Sequence, residues 1–195
     1  MTCVPGLTVV FPSHRHSVGA ILKNAVLRWP NPTMFFEHKL LYSEAAVQGE
    51  YRALPAHPDD IGLELFPTMT WGSDSSDITL IAYGGILPMV EQLRDELVAE
   101  ELSVEIVAPS LLAPLPRHQL YAHLAAREAV VVIEEGYAEA GFGATLGAML
   151  LEGGFRGRFG RVHPPPVPIP AARSLETQVL PGRDAMLQKV LSVLS

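Results

Sequence analysis

Across 195 residues there is one cysteine, Cys3, which excludes an internal disulfide. With no His or Asp partner beside it, the thiol reads as passive and not as a nucleophile. Basic residues are also few: 14 Lys and Arg against 21 Asp and Glu leave a formal net charge of -7. The arginines are scattered, which excludes the clustered cationic face that neutralises phosphates, so no nucleic-acid partner is expected. No uninterrupted apolar run approaches membrane-spanning length, and the N-terminus lacks a charged-then-apolar signal pattern. A cytoplasmic protein without a membrane partner is the expectation. There is no HExxH and no cysteine cluster to build a metal centre. Tyr83-Gly84-Gly85 and Gly141-Phe142-Gly143 both fall short of GxGxxG, so a nucleotide pocket is not expected, although helix amide ends near Gly85 or Gly143 could hold an anion.

What is present is apolar and regular. Hydrophobic residues make up 48% and charged residues 18%, a globular composition long enough for one α/β domain and an additional segment. The stretch Ala129 to Met149 carries the clearest signal. Val130 to Ile133 is a continuous β-branched run, suited to a parallel strand covered on both faces. Glu134 and Glu135 then fall at its carboxyl end, the edge where open α/β sheets place binding surfaces. Gly136, Gly141 and Gly143 allow a tight turn before Ala144, Leu146, Ala148 and Met149 begin a helix.

Earlier in the chain, Leu7 to Phe11 is a short strand stopped by Pro12, after which Ser13 or Ser17 can cap a helix. Val18, Ile21, Leu22 and Ala25 give that helix one apolar face, and Pro30 ends it. Thr33 to Phe36 is a second buried strand. A β-α-β unit of this kind leaves sheet edges and helix faces uncovered, so it must complete a sheet supplied by something else. From Ser43 to Ser76 prolines and glycines interrupt weak periodicity, which predicts a linker, with Leu63, Leu65 and Phe66 packing a short surface strand. Regularity returns at Ile78 to Tyr83. Pro88 places the next helix start near Leu87, with Ile86, Val90, Leu93 and Leu97 inward and Glu91, Arg94, Asp95 and Glu100 toward solvent. Strands follow at Ser103 to Val107, Ala129 to Ile133 and Gly157 to Val162. A proline-marked loop spans Pro109 to Pro116, a short helix spans Arg117 to Arg127, and a proline-rich crossing leads to a terminal helix whose Leu187, Val190, Leu191 and Leu194 share a face. Alternating strands and helices predict a mostly parallel sheet with helices on both sides.

Candidate chemistry is thin. His14 and His16 flank Arg15 after a strand, and without further ligands the trio reads as a solvated loop. His118 and His123 are five apart and do not share a helical face. Glu134 and Glu135 could form a general-base pair, but adjacent strand residues point to opposite faces, which favours hydrogen bonding at an interface. His163 among Pro164, Pro165, Pro166, Pro168 and Pro170 resembles a polyproline recognition motif and reads more simply as a rigid crossing over the sheet.

Two early runs, PGLTVVFPS (Pro5 to Ser13) and NPTMFFEHKLLY (Asn31 to Tyr42), resemble the end of the pyrimidine-binding domain in β subunits of the thiamine diphosphate-dependent 2-oxo acid dehydrogenases, the E1 components. DITLIAYGG (Asp77 to Gly85), VEIVAPSLLAPL (Val104 to Leu115), VVVIEEGYAEAGFGA (Val130 to Ala144) and VPIPAARSLETQVLP (Val167 to Pro181) are similar to successive landmarks of the same subunits, in order and at compatible spacing. The resemblance implies an α/β fold like the C-terminal domain of transketolase, a mostly parallel five-stranded sheet with helices on both faces. It implies a pyrimidine-domain remnant at 1–42, a linker at 43–76 and the C-terminal domain at 77–195.

In that family the glutamate and histidine of catalysis lie upstream of everything that matches here, and no GDG followed by an Asn-rich metal motif is present. The resemblance therefore implies no catalytic, cofactor or metal residue on this chain, and no activity for it alone. Thiamine diphosphate and magnesium would be held in a complex by a partner chain. The contact surface expected from it comprises Glu37, His38, Lys39, Tyr42, Glu134, Glu135, Tyr137 and Phe142. Expected partners are further copies of the chain, or a chain carrying the thiamine diphosphate-binding domains, with an acyltransferase core as a further one. The alternatives are a non-catalytic scaffold or regulatory protein that kept the fold, and a truncated product.

Overall fold

The computed structural model describes residues 4–43 and 50–195, with the side chain of Ser43 excepted. Cys3 lies outside them. The chain runs β1 (Thr8–Val10), α1 (Val18–Leu27), β2 (Thr33–Phe35), a short 3-10 helix (Lys39–Ser43), β3 (Arg52–Ala53), β4 (Thr68–Trp71) and β5 (Ile78–Ala82). It continues through a 3-10 turn (Gly84–Ile86), α2 (Leu87–Ala99), β6 (Val104–Pro109), β7 (Leu111–Ala113), α3 (Arg117–Leu124) and β8 (Ala129–Ile133). The last elements are α4 (Phe142–Glu152), β9 (Arg158–Val162), α5 (Arg173–Val179) and α6 (Arg183–Leu194).

The main sheet has the order β3-β4-β6-β5-β8-β9. Strands β6, β5, β8 and β9 are mutually parallel, and β4 and β3 extend one edge with antiparallel pairings. β5 and β8 are buried at every position, as expected of β-branched runs covered on both faces. Alternation along β8 sends Val131 and Ile133 to a core with α2 and α6, and Val130 and Val132 to a core with α3 and α4. α2 begins at Leu87 with proline in its first turn, as the position of Pro88 requires.

A second sheet has the order β2-β1-β7. β1 and β2 pair in parallel, Thr8 opposite Thr33, and β7 joins the other side antiparallel. Val10, Ile21, Leu63, Leu65, Phe66 and Leu111 form its core. Trp29 closes this core edge-on to Phe66, with ring centroids 5.4 Å apart, and its indole N–H donates to Thr8 Oγ1 at 2.8 Å.

Several expectations change. The main sheet has six strands where five were expected, and two of the six, β3 and β4, come from the segment read as a linker. β4 leaves little trace in the sequence because Pro67 and Gly72 bracket only four residues; Gly72, at φ +125°, passes so close to β6 that a Cβ would lie 2.7 Å from the Val104 carbonyl oxygen. Leu63, Leu65 and Phe66 form a buried turn and no surface strand. Within the proline-marked loop Leu111–Ala113 is a strand, and α5 interrupts the crossing before the terminal helix. α6 turns Met186, Val190 and Val193 inward while Leu191 is half exposed, a face rotated from the expected one. α1 buries only Ile21 among its apolar positions, and Leu22, Val26 and Leu27 are exposed. No helix among the described residues is long and apolar enough to cross a membrane.

Candidate contact surface at the carboxyl edge of the sheet

The carboxyl ends of β5 and β8 meet the carboxyl ends of β1 and β2. Phe11, after β1, lies against Gly84, where a Cβ would come within 2.6 Å of its ring. The ring of His38, after β2, lies over Gly85 and leaves no room for a side chain there. Phe11 also contacts Phe36 and Tyr83, at centroid separations of 5.6 and 5.8 Å, and Tyr83 stands edge-on to Phe142 at 5.4 Å. Aromatic packing thus seats the small sheet on the glycine turn of the large one.

Glu134 is completely buried at the centre of this arrangement. Its Oε2 accepts from the Tyr83 hydroxyl and its Oε1 from the Gly143 amide, both at 3.0 Å, while Arg161 Nη2 lies 3.6 Å from Oε1. Burial pushes this carboxyl up from its ordinary value, and the hydrogen bonds and Arg161 oppose the shift. Helix α4 has Gly141 as its N-cap residue and no side-chain cap of its own, so Glu134 supplies an acceptor that the first turn needs. The glycines around it have a reason different from tight turning. A Cβ on Gly136 or Gly143 would lie 3.0 or 2.6 Å from the Glu134 carboxylate, so these two are kept small to admit it, while one on Gly141 would meet the Tyr137 carbonyl oxygen first, at 2.4 Å, and the carboxylate at 3.1 Å.

Of the eight residues expected at a contact surface, Glu134 and Phe142 have their side chains inside the chain. Their burial takes them off the surface, since both are used in holding α4 to the sheet. Glu135, next to Glu134, emerges half-buried with its Oε2 4.0 Å from His38 Nε2. Burial pushes the Glu135 carboxyl up and His38 opposes it. Glu37, Lys39 and Tyr42 are exposed, and the Tyr42 hydroxyl donates to Glu37 Oε2 at 2.6 Å. Tyr137 is exposed and donates to the Val167 carbonyl at 2.9 Å, tying the loop to the proline crossing.

Thiamine diphosphate does not fit these groups. Of the two helix starts read as possible anion sites, the one at Gly143 has its amide taken by the Glu134 carboxylate, which would repel an anion, and the one at Gly85 has the His38 ring packed over it.

The His14-Arg15-His16 trio is no solvated loop. Arg15 Nε and Nη2 donate to Glu91 Oε1 and Oε2 at 2.7 and 2.9 Å, and His14 Nε2 lies 3.1 Å from Oε2. This fork holds the loop after β1 to α2, and Glu91, expected in solvent, is buried. Burial would raise the Glu91 carboxyl, but His14 and Arg15 outweigh it and hold it down at about 2. Arg15 also lies over the Tyr51 ring, Tyr51 over Trp71, and Arg94 over Trp71 at 3.6 Å. His16 accepts at Nδ1 from the Ser13 amide and hydroxyl, and burial pushes it down to about 4. His118 and His123 point to different partners, Asp60 and Glu105.

Residues 71–186 match the family model for the C-terminal domain of transketolase. The chain belongs to the transketolase C-terminal domain family. The match takes in all four parallel strands and leaves the small sheet's β1 and β2 outside it. Over 193 residues this transketolase C-terminal domain protein is 30% identical to the pyruvate dehydrogenase E1 component subunit β-2 of Oryza sativa subsp. japonica, covering 95% of this chain and 48% of the relative. It is 31% identical to a 2-oxoisovalerate dehydrogenase subunit β 2 of Arabidopsis thaliana over 150 residues, 76% of this chain and 39% of the relative. It therefore spans about half the length, or less, of these curated relatives. Among solved structures a split-gene transketolase chain, from an inactive β4 tetramer, superposes with a TM-score of 0.69 at 19% identity. The superposition covers 100% of this chain and 59% of that one, a likeness of fold.

Proposed function

We propose that this chain is a β-type component of a thiamine diphosphate-dependent 2-oxo acid dehydrogenase or transketolase-like assembly. It supplies the C-terminal domain and a contact surface, while a partner chain supplies the cofactor-binding and catalytic groups. The observation that carries this reading is the state of the small sheet. β2 pairs on one side only among the described residues, and Val26 and Leu27 at the end of α1, with Leu40 and Tyr42 in the 3-10 helix after β2, lie 69–74% exposed. An open strand edge and exposed apolar side chains on the elements that flank it in the chain both call for a cover. The relatives that are 2-oxo acid dehydrogenase β subunits support the reaction class, and the filled turns at Gly85 and Gly143 support placing the cofactor elsewhere. Within this reading Glu37, His38, Lys39, Tyr42, Glu135 and Tyr137 form the polar part of the contact.

Affinity purification of the tagged chain from its native cell tests the proposal. The expected result is co-purification of a polypeptide that binds thiamine diphosphate, abolished by Leu40→Glu with Val26→Glu. Recovery of this chain alone as a stable homo-oligomer would instead establish the scaffold role. Calorimetry of the chain with thiamine diphosphate and magnesium is expected to show no saturable heat, and a clear isotherm would overturn the placement of the cofactor on another chain.

A further inference from the structure

Among the described residues, two groups gather three metal-ligating side chains within 4.8 Å of one another: Asp74, Glu105 and His123, and His57, Asp59 and His118. The first already has its cation. Arg127 lies among them, with Nε 3.0 Å from Glu105 Oε2 and Nη2 3.3 Å from Asp74 and 3.2 Å from His123. In the second group Asp59 pairs with His57 and with no Lys or Arg among the described residues.

We propose that His57, Asp59 and His118 form a binding site for a late first-row divalent cation such as zinc. Two imidazoles and one carboxylate are a donor set suited to zinc, nickel or copper, and three protein ligands leave a position open to water. The frame behind them is fixed. Asp60, whose side chain is 7% exposed, accepts from the His118 amide at 3.3 Å and the Gln119 amide at 2.7 Å, and its own amide donates to the His57 carbonyl at 3.0 Å. The same carboxylate lies 3.0 Å from His118 Nδ1. A histidine that donates Nδ1–H to a buried carboxylate presents the lone pair of Nε2, the arrangement by which metal sites orient their ligands. Asp59 Oδ2 is already 3.7 Å from His57 Nδ1.

One adjustment is required. The His57 and His118 rings are stacked, centroids 5.1 Å apart and tilted by 18°, which sends their in-plane lone pairs side by side. His57 is the ring that turns, because it sits on an exposed turn and is held by a single 3.2 Å bond from the Asp59 amide. Bound metal would clamp this turn, which lies in the connection between β3 and β4, to the start of α3.

The full chain, stripped with a chelator and titrated with zinc chloride in a calorimeter, is expected to show one saturable site with 1:1 stoichiometry. His57→Ala and His118→Ala should each weaken it by about tenfold or more, and Asp60→Asn by about tenfold through loss of orientation. His163→Ala, remote from the cluster, should leave the isotherm unchanged. Cobalt substitution should give visible ligand-field absorption that disappears in His118→Ala. Circular dichroism of each variant separates loss of the site from loss of the fold. Absence of saturable heat up to millimolar zinc, or an isotherm unmoved by both folded histidine variants, would overturn the assignment.

Discussion

Replacing Glu91 by Gln removes one charge and little volume from the fork that joins the loop after β1 to α2. The carboxyl is held at about 2 against an ordinary 4.5, and every tenfold change in proton affinity corresponds to about 1.4 kcal/mol. With the side chain only 11% exposed, solvent screening discounts this little, so the charged form contributes about 3 kcal/mol. Glu91→Gln should cost about that amount at pH 7, because Arg15 loses its carboxylate in a largely buried position. The depressed value fixes the sign. The contribution is complete above the unfolded value near 4.5 and disappears as pH falls through the folded value near 2. Wild type and variant should therefore converge on acidification, by about 1 kcal/mol at pH 4 and about 2 kcal/mol at pH 3. Urea denaturation of both proteins at pH 7, 4 and 3 measures the gap. A gap independent of pH, or smaller than about 0.5 kcal/mol at pH 7, would refute the assignment of the fork as an ionised clamp.

Gly143→Ala forces a Cβ to within 2.6 Å of Glu134 Oε1 and 3.0 Å of Val132, and thermal unfolding should show a loss of about 1–3 kcal/mol. Glu105 is buried and accepts from Thr70, Thr79, His123 and Arg127; Glu105→Gln should cost about 3 kcal/mol in urea at pH 7. Burial raises its carboxyl, but His123 and Arg127 bring it below the ordinary value, so this penalty too should shrink as pH falls below 4.5. On α6, Val190→Ala should cost about 2 kcal/mol while Leu191→Ala stays within about 0.5, because the first is fully buried and the second half exposed. Equal effects of the two would contradict the observed rotation of that helix.

The parallel strands are legible in the sequence because burial on both faces leaves an unmistakable run, as in Val130 to Ile133, and Pro88 announces the start of α2 because proline is tolerated there. Legibility ends where a residue's role depends on a partner far along the chain. Nothing around Glu91 reveals a fork with Arg15, 76 positions away. Gly136 and Gly143 after β8 stand out in the sequence, but their purpose is to admit a carboxylate from Glu134, a spatial fact with no periodic signature. β3 and β4 stay hidden since a two-residue and a four-residue strand carry almost no pattern.

The passage from β6 to β7 occurs at Ser110, which is buried between the two sheets; its amide and hydroxyl donate to the Pro67 carbonyl and its own carbonyl accepts from the Phe11 amide. One continuous length of chain is therefore a strand of both sheets. Cutting the gene at the boundaries of the family match, residues 71 and 186, would leave β7 without β1 and cut through α6, so the stretch that the family model describes is smaller than the packed unit. Unfolding of the two sheets should be one cooperative event, and recombination with another family member should exchange the chain through Ser110 as a whole, never at the apparent domain edge.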